Sequence, residues 1–132
     1  MTQIKKFIIL SHGRTGSTAL CRALSMHPNV IAHEEVFHGE PRRRAVVNGR
    51  VFDTGGNAGT FCREHVFATT GPMGKRTVGF KIFFFHSRGN EQEYSLWPYL
   101  TGSRDISVIL LLRKNIFDVY VSEMRSRRHA TI

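Results

Sequence analysis

The chain has 132 residues, with 19 lysines and arginines against 10 aspartates and glutamates, for a formal charge of +9. An apolar share of 41% supplies a core, so disorder is excluded, and the length holds one domain, residues 1–132. No stretch approaches the roughly 18 apolar residues of a membrane span. Cys21 and Cys62 have neither the spacing of a disulfide framework nor that of a metal site, so two reduced, partly buried thiols in a cytoplasmic setting are expected.

Lys5 to Ser11 form a short Ile-rich run of the kind that makes a strand buried on both faces. A polar glycine turn, HGRTGST, follows, and then Leu20, Cys21 and Leu24 recur at helical spacing until His27-Pro28-Asn29 stops them. Val30 to Ala32 is a second short strand, after which His33 to His38 leaves regular structure. Residues 39–60 read mostly as loop, and 57–69 hold a helix that turns Phe61, Val66 and Phe67 inward. Gly71-Pro72-Met73-Gly74 is a turn signal. Thr77 to Phe85 belongs in the sheet interior, with a single charge, Lys81, in its middle. A helix over 91–100 precedes Ile106 to Leu112, the strongest buried-strand signal of the chain, and a helix from Ile116 to about Arg128 closes it. Strands alternating with helices predict an α/β fold, a short parallel sheet flanked by helices in three P-loop-like layers.

In such a sheet, ligands bind beyond the carboxyl ends of the strands, where a starting helix offers unpaired N–H groups. The turn after the first strand supplies what an anion needs there. Gly13 and Gly16 allow close backbone approach, Arg14 is a fixed positive charge, and Thr15, Ser17 and Thr18 are hydroxyl donors. A Walker A loop would place Lys directly before the hydroxyl residue, and a Rossmann turn would read G-x-G-x-x-G; neither is present.

The G-R-T-G-S-T turn after a buried strand, followed by His27-Pro28-Asn29-Val30 and Glu35-Val36-Phe37, resembles the opening of sulfotransferases that use 3′-phosphoadenosine-5′-phosphosulfate, PAPS. The likeness is to bacterial and Golgi-type carbohydrate enzymes. It extends to a second motif, a strand running into Arg113-Lys114-Asn115 with Ser122 two helical turns on. Arg113 to Ser122 is one residue longer than the family's usual interval, which Lys114 to Ser122 matches; the planar fork of Arg113 makes it the preferred cation and Lys114 the substitute. The resemblance covers about residues 5–37 and 78–126, and little of 39–75.

The resemblance implies that Gly13, Arg14, Thr15, Gly16, Ser17 and Thr18 hold the 5′-phosphosulfate, with Arg14 on the leaving oxygen. It implies further that Arg113 and Ser122 hold the 3′-phosphate, that no metal is required, and that Glu35 accepts the proton of a hydroxyl or amine acceptor, a carbohydrate or glycolipid. Glu34, His12, His33, His38 and His86 are alternative bases, and Lys81 either faces the cofactor or lies at a strand end. The chain stops soon after the second motif, where the family continues, so a truncated member with an incomplete lid and self-association through exposed apolar edges is expected. The rival readings are a kinase-type phosphate binder, which would need carboxylates at a strand end, and a basic nucleic-acid binder. Against the second, the cations match no nucleic-acid motif, so no nucleic-acid partner is expected. The basic runs Arg42-Arg43-Arg44 and Arg125 to His129 read as solvated faces, favouring an anionic acceptor only if one of them lines the cleft.

Overall fold

The computed structural model describes residues 3–37, 44–68, 74, 76–86 and 93–130. Four strands, β1 (Lys5–Ser11), β2 (Val30–Glu35), β5 (Thr77–Phe83) and β6 (Ile106–Leu111), form one sheet in the order β2-β5-β1-β6 with every pairing parallel. Between β2 and β5 lie β3 (Arg44–Val47), β4 (Arg50–Asp53) and a short helix α2 (Ala58–Phe61); α1 (Ser17–Ser25), α3 (Glu93–Gly102) and α4 (Ile116–Ala130) complete the elements. Because all four strands run the same way, Ser11, Glu35, Phe83 and Leu111 end along one edge. The loops leaving β1 and β6 therefore open side by side.

Alternation along the strands assigns the two faces of the sheet. Ile8, Val78, Phe80 and Ile82 join Phe37, Phe61, Phe67, Leu96 and Trp97 in the larger core, where Phe80 lies 5.5 Å from Phe37 and 5.6 Å from Phe67, ring to ring. Phe7, Ile9 and Cys21 make a smaller core on the other face, with Leu20 and Leu24 of α1 against it. Gly79 is opposite Phe7 on that face, and a Cβ there would stand 2.5 Å from the Phe7 ring. The aromatic ring thus occupies the space a side chain at 79 would need. Two positions further along β5, on the same face, comes Lys81.

The structure departs from the sequence reading in several places. Part of 39–60, expected to be loop, is the β3–β4 hairpin, turned by Asn48 and Gly49 at φ 52° and 76°. That pair of left-handed residues is what a two-residue hairpin requires. β2 runs on to Glu35 through a register irregularity after His33. The helix over 57–69 is α2 followed by a π-helical turn, Cys62–Val66, closed by a bond from Phe67 N to Cys62 O. β5 stops at Phe83, where His86 Nδ1 accepts from the Phe83 amide at 3.2 Å. The expected 91–100 helix runs from Glu93 through Gly102, and both cysteines are wholly rather than partly buried.

The largest correction concerns β6. Its apolar run reads as a buried strand, yet it forms the sheet edge, with Val108 54% and Leu110 56% exposed. His38, Arg42, Arg43, Gly71-Pro72-Met73 and the start of the expected 91–100 helix lie outside the described residues.

Candidate functional site

The edge where the strands end carries a cleft of about 1090 Å³. Gly13, Arg14, Gly16, Ser17, Thr18, Glu35, Arg113 and Ser122 all line it, although they come from four separate parts of the chain. Thr15 is not in its wall; the Thr15 hydroxyl donates to the His12 carbonyl at 3.1 Å and braces the turn from behind.

Local backbone geometry explains the turn. Arg14 and Gly16 both take left-handed conformations, φ 62° and 84°, so the chain reverses sharply before α1 begins. Glycine adopts such a φ freely, whereas an arginine there costs about 1–2 kcal/mol. No side chain caps α1 and no acidic residue stands in its first turn, so the helix start meets the cleft with no acid of its own at its positive dipole end. The first turn also brings Ser17 and Thr18 into the cleft wall.

Two contacts join this turn to the start of α4. Arg14 Nε donates to Ser122 Oγ at 2.8 Å, and an Arg113 Nη donates to the Arg14 carbonyl at 3.3 Å. Arg113 is also 3.9 Å from the Asp118 carboxylate, while Asn115 Oδ1 accepts from the Asp118 amide and caps α4. Residues 108 positions apart in the chain are in direct contact. Lys114 is exposed and does not line the cleft, which leaves Arg113 as the cation of this segment in its wall.

Lys81 does not lie at the strand end. It stands mid-strand, only 3% exposed, and its ammonium reaches the cleft. There it donates to Thr18 Oγ1 at 2.6 Å, approaches Ser17 Oγ at 3.5 Å, and pairs with Glu35 at 3.2 Å. A buried ammonium needs a counter-charge and hydrogen-bond acceptors, and this one has both. The contacts tie Glu35, the last residue of β2, to the first turn of α1. Glu34 points elsewhere: it pairs with Arg22 at 3.1 Å and lines a second hollow of about 590 Å³, which shares Thr18, Glu35 and Lys81 with the main cleft.

Among the alternative bases, His12 lines the cleft with Nδ1 at 3.0 Å from the Gly13 carbonyl. His33 is buried, and burial holds it below the usual imidazole range, so it stays neutral near pH 7. His86 caps the turn after β5. Burial pushes the Cys21 thiol up to about 11, with the nearby Glu34 carboxylate adding to the effect, and burial raises Cys62 as well. Both shifts favour the neutral thiol over the thiolate at neutral pH. The Cys21 thiol instead donates to the Ala32 and His33 carbonyls and fastens α1 to β2.

Arg22 and Arg127 also line the cleft; the sequence reading missed Arg22 and named Arg127 only as part of the run from Arg125 to His129, read first as a solvated face. Their signal was helical periodicity: Arg22 follows Thr18 by four residues, and Arg127 follows Glu123 and Val119 at the same interval. Arg127 is the part of the terminal basic run that reaches this cleft. Among the described residues, five cations and two carboxylates, Glu35 and Glu123, line the cleft; Arg22, Lys81, Arg113 and Arg127 each pair with a carboxylate, so the positive balance of the wall is modest. The fold and cleft define an α/β protein with a cationic pocket at its strand tips. Comparisons of the chain with protein-family models, curated proteins and solved structures find no match.

Proposed function

We propose that the chain is a sulfotransferase domain of the PAPS-dependent, carbohydrate-type family, with a P-loop-like layout. The observation that carries this reading is the Arg14–Ser122 contact at 2.8 Å, which joins the two sequence motifs in one cleft of positive balance. The residues present fit a doubly phosphorylated nucleotide. An uncapped helix start with Ser17 and Thr18 suits the 5′-phosphosulfate, and the Arg113–Ser122 side suits the 3′-phosphate. When bound, the donor supplies the sulfuryl group: a bond forms between the acceptor oxygen or nitrogen and sulfur as the bond from sulfur to the 5′-phosphate oxygen breaks.

The chain's own part is positioning and charge. Arg14 neutralises the departing phosphate oxygen from a turn whose backbone is already bent toward the cleft. Glu35, its side chain 29% exposed, takes the acceptor proton. Lys81 keeps that carboxylate at the cleft and holds the Thr18 hydroxyl beside it. The acceptor is a hydroxyl or amine compound, a glycan or glycolipid in this reading, and the buried reduced thiols suit a cytoplasmic setting.

Calorimetric titration with adenosine 3′,5′-bisphosphate, AMP and ATP tests the proposal. The bisphosphate binds most tightly, and Arg113→Ala or Ser122→Ala removes its advantage over AMP, by roughly tenfold or more for the loss of a charge-assisted contact. Equal affinity for all three rejects the donor assignment. A preference for ATP that requires magnesium points to a kinase-type protein instead.

A further inference from the structure

Helix α4 also carries an exposed apolar stripe that borders the cleft, with Tyr120 lining both. Phe117, Tyr120, Val121 and Met124 recur at i, i+3, i+4 and i+7, one continuous stripe of the helix. Phe117 is 71% exposed, Tyr120 60% and Met124 39%, and Arg125 and Arg128 flank the stripe toward the C-terminal end. An exposed apolar stripe beside arginines, on a chain of charge +9, offers an anionic bilayer surface both apolar and phosphate contacts. We propose that this stripe of α4 docks on an anionic lipid surface, with the aromatic and methionine side chains entering the acyl boundary and Arg125 and Arg128 on the lipid phosphates.

Charge and shape favour lipid over other occupants. A second copy would bring the same arginines together, and two chains of +9 repel. A partner peptide needs a groove, yet the stripe is the convex side of one helix. The hollow beside Tyr120, Val121, Met124, Arg125 and Arg128 is only about 300 Å³, too shallow for a helix or strand. A fluid surface needs no wall to grip. Among the described residues no helix is long and apolar enough to cross a membrane, so the contact proposed is peripheral. The proposal does not depend on the sulfotransferase reading: Tyr120 also lines the cleft, but Phe117, Val121, Met124, Arg125 and Arg128 do not.

Cosedimentation of the full chain with vesicles tests it, comparing pure phosphatidylcholine with an equimolar mixture of phosphatidylcholine and phosphatidylglycerol. The chain partitions onto the mixed vesicles, less so as salt rises. Arg125→Gln weakens binding about fivefold, equivalent to ~1 kcal/mol for one cation near an anionic surface. Phe117→Ser, at an exposed position that leaves the fold intact, weakens it roughly tenfold or more. Arg104→Gln, in the turn that enters β6 at the opposite end of the sheet, changes it less than twofold.

Failure to sediment with either vesicle overturns the proposal. So does equal binding to both, or an Arg104→Gln loss as large as that of Arg125→Gln, which would reduce the effect to net charge. Light scattering on the chain without vesicles, and a titration with a DNA duplex, supply two more decisive outcomes. A dimer that Phe117→Ser dissociates would assign the stripe to a second copy, and a DNA duplex held equally well by parent and Phe117→Ser would assign the charge to nucleic acid.

Discussion

β5 and β6 are both strands of nearly unbroken apolar sequence, TVGFKIF and ISVILL, and they have opposite fates. β5 lies between β1 and β2, and every residue from Val78 to Ile82 is buried, the lysine included. Among the described residues β6 pairs on one side only, and Ser107 to Leu110 are exposed. Hydropathy is therefore a property of the segment, whereas burial belongs to its place in the sheet. The two strands also differ in what their tips do: β5 delivers a buried charge to the cleft from within, and β6 delivers Arg113 from an exposed rim.

Substitutions along the two strands sharpen this contrast. Phe80→Ala has the largest effect, since it empties the space between Phe37 and Phe67; a loss of about 3–5 kcal/mol is expected from urea unfolding. A loss under 1 kcal/mol would mean that the larger core is not packed as described. Gly79→Ala comes next, because its new methyl meets the Phe7 ring, and about 1–3 kcal/mol should be lost unless that ring turns aside. Restoration of stability by Phe7→Leu in the Gly79→Ala background would identify the clash. The smallest effect falls on the edge strand, where Val108→Thr should change stability by no more than about 0.5 kcal/mol. A large loss there would show that something covers β6 in solution.

Much of the sheet was legible in the sequence, because Ile8, Ile9, Val78 and Phe80 are apolar at strand spacing and the glycine turn marks where β1 gives way to α1. Residues 12–18 announced themselves by chemical type, and the structure does gather all but Thr15 around a single opening. The hairpin was missed although Asn48-Gly49 is a strong turn signal, because RAVV and RVFD are short and each begins with an arginine. The exposure of β6 could not be read at all, since an edge strand and a central one can share the same letters. The fate of Lys81 was hidden for a related reason: its partners, at positions 17, 18 and 35, are distant in sequence and meet it only through the order of the strands.

The Lys81 tether has a mechanical consequence. Its head is held at once by the tip of β2 and the start of α1, while its stem is anchored in the middle of the sheet, so three elements are riveted at a single nitrogen. Sliding the helix along the sheet would shear an ion pair and a hydrogen bond together. Across the mouth, Arg14 and Arg113 join the first turn to the segment that enters and forms α4 through two exposed hydrogen bonds, a lighter fastening than the buried lysine provides.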